Sequence, residues 1–333
     1  MSFKGWKKEK ITLAGGSQAE AVCPVIVSAS RATDIPAFFA EWFMNRLRAG
    51  YLLRADPFKA GKFQCVSFRH TRVIVFWSKN PAPLIKYLPE INGMGINYYF
   101  QFTLNNYEPE TLEPGLPTLA RRVETFKMLA DILGKKRVIW RFDPLVLTDS
   151  LGVERLMDRV AAVGDLVRDC TERLVVSFAD IAKYRHVRRA LGPGGFRCRE
   201  FTLDEMHAAA GRLQALNRAW GLKISTCAEK INLAPYGIGH NRCIDDRLMA
   251  EIFSHDRALM EFLGCRPDLF SGSARPGLKD RGQRKECGCI ASKDIGSYGT
   301  CRHLCAYCYA NSSREAVEGN LRRHRSDAES LLA

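Results

Sequence analysis

Residues 301–310 read CRHLCAYCYA, spacing three cysteines as Cys301-x3-Cys305-x2-Cys308 with Tyr307 just before the last. Three thiolates on one tight loop can hold three irons of a [4Fe-4S] cluster and leave the fourth iron open to an outside ligand. A cluster needs that opening to do chemistry as well as carry electrons. The same spacing serves a structural zinc ion if a fourth ligand comes from His303, Cys287 or Cys289. A second thiol set consists of Cys227, Cys243 and the pair Cys287-x-Cys289, four ligands able to complete an auxiliary cluster. The competing reading makes Cys227 a small core residue and lets Cys287 or Cys289 back up the first site. Cys23, Cys65, Cys170, Cys198 and Cys265 are isolated and read as packing residues.

Of the 12 cysteines, five fall between residues 287 and 308, a clustering that favours metal or iron-sulfur ligation over disulfides in a reducing compartment. The opening residues MSFKGWKKEK are charged, and no stretch approaches the ~18 apolar residues of a membrane span, so a cytoplasmic protein with no membrane partner is expected. With 333 residues, 46% of them hydrophobic, the chain can bury a sizeable core. The 50 Lys and Arg against 36 Asp and Glu give a net charge of +14, which attracts nucleic acid and other anions. That charge is spread along the chain, and the local clusters YRHVRR (184–189) and LRRHR (321–325) read first as solvated helix faces.

The elements that must position these thiols follow a repeating order. Six apolar runs, at 25–29, 73–77, 97–104, 138–145, 173–179 and 222–229, each precede an amphipathic segment. In the third of these segments Leu119, Val123, Phe126, Leu129 and Ala130 recur at helical spacing. Strands this apolar, alternating with helices, predict an α/β fold with a parallel sheet. No Gly-x-Gly-x-x-Gly turn follows the first strand and polar residues crowd the strand ends, so a partial (β/α)6 TIM-type barrel is expected over residues 1–264. Residues 265–333 form a C-terminal cysteine-rich, cluster-binding segment. It comprises a Gly- and Arg-rich loop that includes 271–285, the cysteine loop, and a last helix starting near Ser312, where Glu315 fits a capping box, and running to the end. The strand-end residues Ser30, Arg31, Lys79, Asn80, Asn105, Arg141, Asp143 and Glu229 are the candidate contacts for a cofactor or substrate.

The cysteine spacing with Tyr307 resembles the signature of the radical S-adenosylmethionine (SAM) superfamily, and six strand-helix units match that superfamily's partial barrel. SKNP, RFDP and LEPGLPTLARRVETFKML are similar to stretches of the spore photoproduct lyase group. The tail CGCIASKDIGSYGTCRHLCAYCYAN resembles that of a bacterial family of unknown function, DUF1848. The resemblance implies a [4Fe-4S] cluster on Cys301, Cys305 and Cys308, SAM as its partner, an electron donor such as flavodoxin or ferredoxin, and a radical reaction on a substrate. In the superfamily an auxiliary cluster relays electrons or anchors substrate.

There is one departure. The superfamily's three cysteines follow the first strand, where this chain has SASRATDIP, so the C-terminal segment is expected to fold back over the strand ends. The resulting expectation is a radical SAM enzyme acting on nucleic acid or, nearly as well, on a small molecule or a peptide. The competing class is a non-enzymatic zinc- or iron-sulfur-binding module that binds nucleic acid through its basic surface.

Overall fold

In the computed structural model, which describes residues 3–56, 59, 61–192, 195–265 and 277–332, fourteen strands fall into three sheets. In chain order they are β1 (Lys7–Thr12), β2 (Gln18–Cys23), β3 (Ile26–Ala29), β4 (Tyr51–Ala55), β5 (Phe63–Ser67), β6 (Val73–Ser78), β7 (Asn97–Thr103), β8 (Val138–Leu145), β9 (Leu147–Thr148), β10 (Arg173–Phe178), β11 (Cys198–Arg199), β12 (Lys223–Thr226), β13 (Gly239–His240) and β14 (Lys293–Asp294). The six apolar runs are β3, β6, β7, β8, β10 and β12, and they form the middle of an eight-stranded, all-parallel sheet of order β13-β12-β10-β8-β7-β6-β3-β14. The sheet is open, with β13 and β14 as its edges.

Side chains alternate across a strand, so each face of this sheet carries its own set. Phe76, Phe100, Phe102 and Trp140 face one way and pack with the buried stripe of the helix Leu119–Leu133, where Phe126 lies 5.1 Å from Phe102 ring to ring. The opposite face carries Ile26, Val73, Val75, Tyr99, Ile139 and Val175 against Leu248, Met249 and Leu259. Those last three come from the helices Asp246–Ile252 and Arg257–Leu263. On this second face the strands turn polar toward their C-terminal ends. The register pairs Gln101 with Ile139, Arg141 with Val175, and Ser225 with Val175, which places Gln101, Arg141 and Ser225 above the apolar floor.

Local chemistry sets several boundaries. Thr202 and Glu205 close a capping box at the start of the helix Leu203–Trp220. The sixth amphipathic segment is split because Asp256 caps Arg257–Leu263 while its carboxylate also accepts from Arg72 and Asn97. The last helix differs from the expectation: Ser313 is the cap, its Oγ accepting from the Ala316 N–H at 3.1 Å, and the helix spans only Arg314–Arg323. The chain beyond it returns along the helix Ala40–Ala49, where Trp42 Nε1 donates to Ala328 O at 3.0 Å and Asn45 Nδ2 donates to Ser326 O at 3.0 Å. A mixed sheet, β1-β2-β5-β4, has no counterpart in the apolar runs, since β1 and β2 alternate exposed and partly buried residues. Residues 266–276 of the expected Gly- and Arg-rich loop lie outside the described residues. Among the described residues no helix is long and apolar enough to cross a membrane.

β14 carries a half-buried lysine. Burial, helped by Arg54, pulls the Lys293 ammonium down to about 8 from its ordinary 10.5. Below pH 8 the folded chain holds a charge it disfavours; above 10.5 the lysine is neutral folded or unfolded, and the penalty is gone. Lys293→Met is therefore expected to raise the melting temperature by a few degrees at pH 7, with the gain shrinking as pH rises from 8 to 10.5. Thermal unfolding across that range checks it, and a pH-independent difference would reject it.

Candidate metal centre

The C-terminal segment reaches the sheet through one acidic side chain. As β14 pairs in parallel with β3, Asp294 Oδ2 accepts from Ser28 Oγ at 2.9 Å and the Arg31 N–H at 2.8 Å. Its Oδ1 accepts from Ser30 Oγ at 2.7 Å and the Gly296 N–H at 3.0 Å. Gly296 is required here, because a Cβ at that position would lie 2.0 Å from Ser30 Oγ.

The cysteine loop then docks over the strand ends. Gly115 N donates to His303 O at 3.0 Å, Ala306 N to Leu112 O at 2.9 Å, and Tyr309 OH to Arg31 O at 2.8 Å. His186 Nε2 meets Cys308 O at 3.1 Å. Asp34 anchors the loop from below: its carboxylate accepts from the Ala37 N–H, Ser78 Oγ, the Lys79 N–H and His303 Nε2, each at 2.8–3.0 Å. The other ring nitrogen of His303 faces Gly115 O at 3.3 Å. With both nitrogens engaged, His303 is not free to ligate a metal, and the loop offers three thiols.

Tyr307 seals the interior side. Its hydroxyl accepts from Lys79 Nζ at 2.9 Å and Asn105 Nδ2 at 3.0 Å, and donates to Glu113 Oε1. Lys79 and Glu113 also pair at 2.6 Å. Burial opposes both charges, yet their mutual attraction holds Glu113 below and Lys79 above its ordinary value. Burial raises Cys301, Cys305 and Cys308 alike, so a metal bound there must displace their protons.

The second thiol set converges on the polar face of the sheet. Cys227 Sγ lies 3.6 Å from Cys243 Sγ. Interaction among the thiols lowers Cys227 and Cys289 and raises Cys243. Arg141 Nη1 donates to Cys243 Sγ at 2.9 Å, Asn241 Nδ2 to the same sulfur at 3.0 Å, and Ile244 N to Cys289 Sγ at 3.3 Å. Cys289 is thus tied to the segment of Cys243 through the Ile244 N–H.

The strand-end candidates divide among these features. Ser30 belongs to the Asp294 anchor, and Lys79 and Asn105 to the Tyr307 network. Asn80 is half-buried, its backbone N–H donated to Ser78 Oγ at 3.0 Å. Arg31 and Arg141 both lie on the Trp77 ring, at 5.3 and 5.2 Å. Asp143 takes bonds from Arg141 and Ser177, which overcome burial and keep its carboxyl below the usual range. Glu229 accepts from the Phe178 N–H at 2.9 Å, and burial lifts its carboxyl to about 7. Asp34, Glu113 and Asp294, which hold the loop, were absent from the sequence candidates. Asp34 lies within the strand-end run SASRATD, Glu113 within LEPGLPTLARRVETFKML and Asp294 within CGCIASKDIGSYG, stretches quoted for their pattern without these acids being singled out.

Fold and site together define an α/β protein with a parallel sheet and two thiol sets at its strand ends. The chain belongs to the family described as "Domain of unknown function (DUF1848)", which matches residues 26–310. No curated protein matches the chain. No solved structure matches it either.

The docking rests on a glycine. A Cβ on Gly115 would lie 2.1 Å from Arg302 O and 2.8 Å from His303 Cα, both backbone atoms that cannot swing aside. Gly115→Ala is expected to lift the loop, accelerating hydrogen exchange of the Ala306 N–H about tenfold or more, a loss of about 1.4 kcal/mol of local stability. Unchanged protection in an otherwise native spectrum would show that the contact does not hold the loop.

Proposed function

We propose that this chain is a radical SAM enzyme whose cluster sits on Cys301, Cys305 and Cys308. The observation that carries the reading is the docked loop with three available thiols, its only histidine bonded to Asp34 and Gly115. A zinc staple needs a fourth ligand, and His303, the candidate within the loop, is bonded to Asp34 and Gly115. A three-thiol [4Fe-4S] site wants none from the protein, so the donor set fits.

When bound, such a cluster supplies an electron, from a donor such as flavodoxin or ferredoxin, that breaks a carbon-sulfur bond of SAM and yields a 5′-deoxyadenosyl radical. The chain's own part is to hold, orient and exclude water. Tyr307, Lys79, Glu113 and Asn105 close the sheet side of the loop with every polar atom of the tyrosine hydroxyl matched. Arg141, Asp143, Ser177 and Glu229 offer charges and hydrogen bonds at neighbouring strand ends for SAM or substrate. The parallel strand order, with all these groups at C-terminal ends, supports a partial (β/α)6 barrel as the shape that gathers them.

For the substrate class we favour nucleic acid. Tyr298 and Tyr309 are 46% and 41% exposed, and Tyr184 stacks on Tyr309 at 5.6 Å. The helix Arg185–Leu191 presents exposed Arg185, Arg188 and Arg189 beside them, and its His186 touches the cysteine loop. Aromatic faces beside cations are what an unpaired base and its phosphates require.

Two measurements test the reading. Cys305→Ala should abolish SAM cleavage and the SAM-responsive EPR signal of the anaerobically reconstituted, reduced protein; full activity, or a zinc-only wild type, rejects it. Arg188→Glu with Arg189→Glu should weaken binding of a single-stranded oligonucleotide about tenfold or more at low salt and flatten its salt dependence. Unchanged binding would turn the search to small molecules and peptides.

A further inference from the structure

We infer that Cys227, Cys243, Cys287 and Cys289 hold a second [4Fe-4S] cluster, independent of the cysteine loop and bonded to Arg141. The inference stands apart from the radical SAM reading, because nothing in it requires SAM.

The four thiols come from three separate segments: the end of β12, the stretch after β13, and the turn before β14. Cys243, Cys287 and Cys289 belong to one buried cluster with Ile244 and Ile290, and Cys227 packs against it. Gly288, between two of them, has no room for a side chain, since its Cβ would meet Arg242 Cγ at 2.7 Å and Asn241 O at 3.0 Å. Glycine there lets Cys287 and Cys289 approach Cys243. The Cys243 carbonyl is fixed from behind by Tyr99 OH at 2.7 Å and Gln101 Nε2 at 2.9 Å, which leaves the sulfur turned to its neighbours.

Spacing chooses among metals. Cys227 Sγ and Cys243 Sγ lie 3.6 Å apart, and Cys289 Sγ accepts from the N–H of Ile244, the residue after Cys243. A single tetrahedral zinc, with Zn–S of about 2.3 Å, draws every pair of sulfurs to within about 4 Å. Among the described residues, no three of these thiols lie within 4.8 Å of one another; the one trio that does is Glu9, Cys23 and His70, elsewhere in the fold. The Cys227–Cys243 pair alone would suit zinc, but the set as a whole is too spread for one ion; a multi-iron cluster takes thiolates that stand apart, and its binding would part that pair.

The surroundings supply what such a cluster takes from a protein. Its sulfurs accept hydrogen bonds, and those bonds with nearby cations set its potential. Arg141, Asn241 and the Ile244 N–H already donate to cysteine sulfurs. Arg31 Nη2 and Trp77 Nε1 are buried donors without partners among the described residues, and Arg31 lies over that indole. An acceptor such as a cluster sulfide would satisfy donors of this kind. Arg141 also bonds Asp143, whose N–H reaches Asn105 and through it Tyr307, so one hydrogen-bonded path joins the two thiol sets.

The test removes the first site. The Cys301→Ala/Cys305→Ala/Cys308→Ala variant, reconstituted anaerobically with iron and sulfide, should retain about four irons per chain and a dithionite-reduced EPR signal indifferent to added SAM. Adding Cys243→Ala should remove both. Adding Arg141→Gln instead should keep the iron and move the reduction potential to more negative values, since a cation beside the thiolates is lost. Zinc in place of iron, or no metal in a triple variant with native circular dichroism, overturns the site; an unmoved potential overturns the role of Arg141. Should the triple variant not fold, the single variant Cys243→Ala decides: iron falling from about eight to about four with the SAM-responsive signal intact supports the second cluster, and unchanged iron refutes it. Failure of the radical SAM reading would show instead as a wild type whose signal ignores SAM, whatever its iron content.

Discussion

The carboxylate of Asp34 is buried, and a buried carboxylate is tolerable only when its lone pairs are taken up. Four donors do so, and they come from three places: the helix start after β3, the end of β6, and His303 of the cysteine loop. One side chain thereby fixes where the first strand's exit, the second strand's exit and the far C-terminal segment meet. It also decides what the loop can bind. By occupying the imidazole, Asp34 removes the one nitrogen ligand within the loop and leaves a set of thiols.

The Tyr307 network adds a second constraint at higher cost. Burying Lys79 with Glu113 gains little net stability, because desolvation offsets most of their attraction. What the pair supplies is position. Tyr307 must stand where it can accept from Lys79 and Asn105 and donate to Glu113 at once, and it lies between Cys305 and Cys308, so its place sets theirs. Removing one partner would strand a buried charge, which makes the arrangement intolerant of slippage.

Much of this frame was legible in the sequence, for physical reasons that also explain the rest. Val73–Ser78 and Asn97–Thr103 are buried on both faces and so read as unbroken apolar runs. The strand Lys7–Thr12 has one solvated face and reads as a charged segment. Cysteines advertise themselves by rarity and spacing, so both thiol sets are legible, although spacing could not say that Cys227 stands beside Cys243 or that Cys289 meets the Ile244 N–H. Glu113 and Asp294 lie inside stretches that carry the resemblance, but their role was not legible there, because it comes from partners 194 and 264–266 residues distant in the chain. The last helix ended early because Trp42 and Asn45 offer donors to an extended tail, a tertiary demand invisible to local propensity.

Strand polarity accounts for a cysteine loop so late in the chain. β14 pairs in parallel with β3 at one edge of the sheet, so the chain leaves both strands at the same end. A loop that follows β14 therefore emerges beside the turn that follows β3. The shared carboxylate of Asp294 locks the two exits together through Ser28, Ser30 and the Arg31 N–H. An antiparallel β14 would have sent the cysteines to the opposite end, where Arg72, Asn97 and Asp256 line a cavity of about 700 Å³ away from every thiol discussed. Two paired residues of the right direction are enough to bring residue 301 to the place where a loop after residue 29 would stand, and the sequence in between is free to build the sheet.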